Sequence, residues 1–156
     1  MEIARQVAGK KVAKEQAKER KATREKLDAM RTKPQLVKVA QTAFNAFIRA
    51  RDKDQPCISC EKPSNDEANG WDAGHYRSVG SAPHMRFVES NCHKQCKHCN
   101  QYLAGNHVAY RQNLIKRIGL QEVERIEADQ TLRKYTKEGL EEMAKHYRAE
   151  TRKIKL

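Results

Sequence analysis

The sequence predicts an α+β fold, mostly helical, in which a small ββα unit closed by cysteines is flanked by longer helices. Three observations predict it. Two C-x-x-C pairs, "CISC" (Cys57 to Cys60) and "CKHC" (Cys96 to Cys99), bracket one stretch of chain. That stretch is turn-rich, with short extended candidates. On both sides of it run segments of helix formers, several with apolar residues at helical spacing.

Taken in order, Met1 to about Lys33 is rich in Lys, Arg, Glu, Ala and Gln, with isolated Ile3, Val7, Val12, Leu27 and Met30. It reads as a long, polar, exposed basic helix. Pro34 suits the first turn of a second helix, with Thr32 as its cap. "PQLVKVAQTAFNAFIRARD" sets Leu36, Val39, Ala40, Ala43, Phe44, Phe47 and Ile48 on one face, a core stripe. "EKPSNDEANG" is a loop, and "WDAGHYRSVG" and "HMRFVES" are the strands of an irregular hairpin. A helix is expected from Cys96 through Asn100 to Gly105. Asn106 then caps "HVAYRQNLIKRI", which Gly119 ends. "LQEVERIEA" and "KEGLEEMAKHYRAETRK" give the last helices. The division that follows is a basic helical extension over 1–33, a cysteine-stapled domain over 34–119 and a C-terminal helical extension over 120–156.

Composition narrows the partner. Of 156 residues 38% are hydrophobic and 33% charged, which leaves one small core. A formal charge of +12 points to a polyanion. No apolar run reaches the roughly 20 residues of a membrane span, and no h-region marks a signal peptide. The expected compartment is a reducing cytoplasm, where clustered cysteines bind metal rather than pair as disulfides.

Two residues between thiolates let a tight turn aim both sulfurs at one ion, so Cys57, Cys60, Cys96 and Cys99 are the expected ligands of a structural Zn²⁺. In so small a core the ion supplies much of the folding free energy. Cys92 and His93 are the alternative ligands, and the default for Cys92 is a buried thiol outside the site.

Between the pairs lie Asp72, His75, His84, Asn91 and His93, and Asn100 directly follows the last cysteine. A helix starting at the second knuckle would project Asn100 opposite Asp72, oxygen ligands for one hard cation such as Mg²⁺ or Mn²⁺. His75 would take a proton from a bound water. Arg77 and Arg86 are placed to hold a phosphate, with Arg49, Arg51 and Lys97 adding positive charge beside the knuckles. Plainer roles exist: a histidine packed under the hairpin, a turn-capping Asp72, a helix-capping Asn100. His84 and His93 read as surface or phosphate-contacting residues, and Trp71 with Phe87 as a plug between hairpin and helix.

At these residues, "CISC…DAGHYRS…RFVESNCHKQCKHCNQYLAGN…YR" resembles the HNH, or His-Me finger, endonucleases, built on a treble-clef-like ββα-metal unit. More closely, the span from about Phe44 to Gly119 resembles the lambdoid phage NinG (Rap) family of recombination endonucleases. The paired knuckles followed by asparagine are also similar to those of T4 endonuclease VII, a junction resolvase. The resemblance implies zinc on Cys57, Cys60, Cys96 and Cys99, His75 as general base, and Asn100 as a ligand of the catalytic metal. It implies that Asn91 orients the histidine or braces the loop. In the family pattern an aspartate directly precedes the histidine; here Gly74 stands there and Asp72 lies three residues before His75. The expected activity is metal-dependent cleavage of Holliday junctions, D-loops and other branched DNA, by a homodimer, in the cytoplasm of a bacterial host. The alternative is a zinc-stapled DNA-binding module that does not cut.

Overall fold

The computed structural model describes residues 2–64 and 70–156, without the side chains of 2–8 and Ala29. Part of the expected "EKPSNDEANG" loop therefore lies outside the described residues. Two compact units appear, Met1–Gln35 and Leu36–Leu156. No helix among the described residues is long and apolar enough to cross a membrane.

The first unit is helix α1, Glu2–Ala29. It lacks an apolar stripe, so Val12 and Leu27 stay exposed with the charged residues around them. Local ion pairs such as Lys21 with Glu25 are solvated and add little.

In the second unit the core forms around α2, Lys33–Arg51. Its start is held by Gln35, whose Oε1 accepts the Thr32 N–H at 2.8 Å. Leu36, Ala40, Ala43, Phe44, Phe47 and Ile48 are buried as the stripe requires, and Val39 is half-buried. They pack against Phe87 and Cys92, and against Leu140, Ala144 and Tyr147 of α5, Lys137–Ile154. Phe44 meets the rings of Phe87 and Tyr147 edge-on, each contact adding about 0.5–1.5 kcal/mol beyond area burial. Helices α3, His107–Ile118, and α4, Leu120–Ala128, build a second cluster from Tyr110, Leu114 and Val123 around Ile58. The segment 120–156 contributes Val123, Leu140, Ala144 and Tyr147 to these buried clusters. The amphipathic faces of α4 and α5 have partners on α2, α3 and the loops.

Among the described residues the sheet is one antiparallel pair: β1, Trp71–His75, and β2, Cys92–Cys96, with Trp71 opposite Cys96 and His75 opposite Cys92. "HMRFVES" is not the second strand. It forms 3₁₀ turns at Pro83–Met85 and Glu89–Asn91 that fill the crossover. The strand is "CHKQC", buried at every position, so it shows no polar–apolar alternation. Most of its polar groups find partners at long range, while Gln95 Oε1 is buried without one among the described residues. The Lys94 N–H donates to Asp52 Oδ2, and its ammonium to the Lys53 carbonyl and Ser64, over the Trp71 ring. Burial opposes ionisation of Asp52, only 5% exposed, but its bonds to Arg51 and the Lys94 N–H outweigh this and hold the carboxyl below its ordinary range.

The helix expected from Cys96 to Gly105 is a single π-type turn, His98–Tyr102. Cys96 still belongs to β2, and positive φ at Ala104 (47°), Gly105 (89°) and Asn106 (46°) ends the turn. Asn106 caps α3 through its backbone carbonyl, which accepts the Tyr110 N–H; its side chain makes no cap bond and turns to Cys99 Sγ instead. Gly119 ends α3 as expected, with φ 84°.

His93 is 3% exposed, which removes it as a surface phosphate contact. Its Nδ1 donates to Tyr110 Oη at 3.4 Å, while that hydroxyl donates to the Gly74 carbonyl. Burial, aided by the Arg51 charge, lowers its pKa from 6.5 to about 3. The unfolded chain thus binds this proton near pH 6.5 and the folded chain resists it. Stability is full above about pH 6.5 and falls by about 1.4 kcal/mol per unit as acid is added through that window. In urea unfolding at stepped pH, His93→Gln is expected to flatten this acid-side slope; an unchanged slope would place the titration elsewhere.

Candidate metal centre

The sulfurs of Cys57, Cys60, Cys96 and Cys99 all lie within 4.8 Å of one another. The Cys60–Cys96 pair is 3.8 Å apart, the edge of a tetrahedron with Zn–S bonds of about 2.3 Å, which is about 3.8 Å. The donor set and its size therefore fit zinc. Backbone N–H groups already point at sulfur: Cys96 N–H to Cys57 Sγ at 3.3 Å and Cys99 N–H to Cys96 Sγ at 3.5 Å. Burial raises the Cys57 pKa, but N–H groups of Cys60, Cys96 and Ser59 overcome it and lower the thiol. Cys99 goes the other way, pushed up to about 12 chiefly by burial, and a bound cation would reverse that. Cys92, fully buried, stands outside the cluster with its thiol raised far by burial.

Trp71 packs on the cysteine cluster while Phe87 belongs to the α2–α5 core, so the two do not form one plug. On the other face of the hairpin, Asp72 Oδ2 accepts from Asn100 Nδ2 at 2.8 Å and from Gln101 Nε2 at 2.8 Å. The turn following the last cysteine thus aims Asn100 at Asp72. Gln101 is the partner the sequence reading missed; its only signal was its place beside Asn100.

His75 does not join them. It lies three residues along β1 from Asp72, about 10 Å away and on the opposite face of the strand. Its ring lies near Phe44, and its Nε2–H donates to the Arg86 carbonyl at 2.9 Å. Nδ1 faces the Cys92 thiol at 3.7 Å. Burial lowers its pKa despite the Arg86 carbonyl, so the ring is neutral at pH 7.

Asn91 braces the loop. Fully buried, it accepts the Arg77 N–H at 2.8 Å and donates to the Arg77 and Met85 carbonyls. Arg77 donates from Nη1 to the Ile126 and Asp129 carbonyls, and Arg51 pairs with Asp52 and reaches the Glu89 and Cys92 carbonyls. These two guanidiniums hold the fold together. Arg86 uses one Nη1 bond, to Gln41, while Arg49 and Lys97 are half-exposed. His84 bonds to the Asp129 carbonyl.

Gly74, at the position where the resembled pattern has an aspartate, has a physical reason. A Cβ there would lie 2.0 Å from Gln95 Oε1. Gln95 cannot easily yield, because its Nε2 is fixed by Ser59 Oγ and the Gly105 carbonyl at 2.6 Å each.

The family model described as "Bacteriophage Lambda NinG protein" matches residues 1–156. The chain belongs to the NinG family. It is 43% identical over 127 residues to "Protein ninG" of Salmonella phage P22 and 42% identical over 127 to that of Escherichia phage lambda. Each match covers 81% of this chain and 61% of the relative. "Protein ninG" of Escherichia phage 933W is 48% identical over 110 residues, 70% of this chain and 53% of the relative. The chain thus spans little more than half the length of the NinG proteins it matches. No solved structure matches it. The match to NinG extends beyond the Phe44–Gly119 span on which the resemblance first rested.

Two outcomes are expected. Cys99→Ser should lose stoichiometric zinc and cooperative unfolding together, whereas Cys92→Ala should keep one zinc per chain and lose only about 1 kcal/mol; metal analysis beside thermal melts decides between them. Gly74→Ala should cost about 1–3 kcal/mol by overpacking with zinc content unchanged, and a neutral result in denaturant unfolding would remove the steric explanation.

Proposed function

We propose that this chain is the cutting part of a structure-specific DNA endonuclease, acting by metal-dependent hydrolysis of phosphodiesters in branched DNA such as Holliday junctions and D-loops. What carries the reading is the Asp72–Asn100 contact, held beside the four-cysteine cluster. The Asp72 carboxylate and the Asn100 amide oxygen, the latter presented by a half-turn of the amide, would hold Mg²⁺ or Mn²⁺. Such a cation neutralises the scissile phosphate and stabilises the departing 3′ oxygen. The likeness to HNH enzymes belongs to this proposal, as does His75 as the base. His75 is neutral, as a base must be, but Nε2 carries the proton donated to the Arg86 carbonyl, so that contact would have to give way and the proton pass to Nδ1 before Nε2 could take one from a water. Arg49, Arg86 and Lys97, with the net charge of +12, would grip the backbone, so binding weakens steeply with salt. A C₂ dimer would bring two sites to the two strands of a junction.

The engagement of both His75 nitrogens favours a second reading, a zinc-stapled module that binds junctions without cutting. Cleavage of an end-labelled four-way junction in Mg²⁺ or Mn²⁺ separates the two. On the enzyme reading, Asp72→Ala and Asn100→Ala lower cutting by at least about a hundredfold with binding kept, and His75→Ala does the same if it is the base. Tight binding with no cutting by any protein would leave the binding module. Equal cutting of linear duplex would keep the nuclease and remove the preference for branches.

A further inference from the structure

We infer that Tyr102, stacked on His98, is a stacking platform for a nucleobase exposed at a DNA branch point, and so sets the preference for branched over linear DNA. This rests on the DNA-cutting reading and deepens it. Tyr102 is 78% exposed, Leu103 47% and Val108 76%. They sit on the short run of chain that follows Asn100, with the exposed His98 ring stacked on Tyr102 at 6.2 Å between centroids and 29° between planes. Single exposed apolar residues are ordinary; an exposed stacked ring pair whose members flank Asn100 in one turn is not.

The run is also rigid. The Gly105 N–H bonds the Cys99 carbonyl at 2.8 Å and the Asn106 N–H the Leu103 carbonyl at 2.8 Å. The Gly105 carbonyl is taken by both Ser59 and Gln95. A ring held in water by a zinc-anchored turn has already lost the freedom that binding would otherwise remove.

Charge identifies the occupant. The chain carries +12, and half-exposed Lys97 lies next to His98, so the surface attracts a polyanion that offers flat π faces: nucleic acid with unstacked bases. In a linear duplex every base face is covered by its neighbours. A branch point exposes some, and only there does Tyr102 gain a partner.

The experiment is a pair of equilibrium titrations of zinc-loaded full chain in Ca²⁺, against a four-way junction and a linear duplex of the same sequence. A second junction carries 2-aminopurine at the branch. Tyr102→Ala is expected to bind the junction about tenfold more weakly, with duplex affinity within about twofold of wild type. It should also lose the 2-aminopurine signal, and Tyr102→Phe should keep both. Equal loss on both DNAs, loss on neither, or no junction preference in wild type would overturn the inference. So would a Tyr102→Ala variant that merely dissociates a dimer, since the patch would then be a contact between copies. No cleavage is read, so a protein that fails to cut still tests the platform.

Discussion

Four sulfurs within 4.8 Å of one another bring together two parts of the chain that lie far apart in sequence. Cys57 and Cys60 close the loop after α2; Cys96 and Cys99 close the end of β2 and open the π-type turn. With the cation in place, the hairpin, the turn and the start of α3 share one origin. Asn106 and the Gly105 N–H both reach Cys99, so the backbone of Leu103 to Asn106 is set from that cysteine rather than from a core. This explains how a turn with three successive positive φ values persists on the surface. Gly105 takes such a φ freely, but Ala104 and Asn106 are each strained by about a kcal/mol unless their surroundings fix them.

The second constraint is strand alternation. In β1, Asp72 and Gly74 face the turn and α3, while Trp71, Ala73 and His75 face the other side. One face therefore carries the carboxylate and amides, and the other carries an imidazole packed near Phe44 and beside Cys92. Two chemistries near in sequence are separated by a backbone. Any mechanism that joins them must move His75 or run the substrate past both faces. The Arg86 carbonyl is the contact on which that movement depends, and Arg86 itself rests on Gln41 of α2.

How much of this was legible follows from where each residue's partners lie. Helices α2 to α5 were readable because their apolar stripes are local patterns, and the four cysteines because two short spacings encode one site. The nearness of Asp72 and Asn100 was readable too, since a ligand next to a fixed cysteine has few places to go. Strand β2 was not. Its His93, Lys94 and Gln95 look like surface residues, and their partners, Tyr110, Asp52 and Ser59, come from α3, the turn after α2 and the first knuckle. No window of sequence contains those pairs. The face of His75 was there to be read: three residues from Asp72 on a strand is an odd number.

Gly74 shows how a buried polar residue shapes a site it never touches. Gln95 is fully buried and pairs across the sheet with Asp72, so its side chain lies over the neighbouring Gly74. Its Nε2 ties Ser59 of the first knuckle to the Gly105 carbonyl beyond the second. That bridge fills the space an aspartate side chain at position 74 would need. The Asp72 carboxylate stands two residues earlier on the same strand face, where Asn100 and Gln101 reach it. Gly74 and the buried amide are thus one arrangement: either change alone, an aspartate at 74 or a smaller residue at 95, would leave a clash or a cavity between the two knuckles.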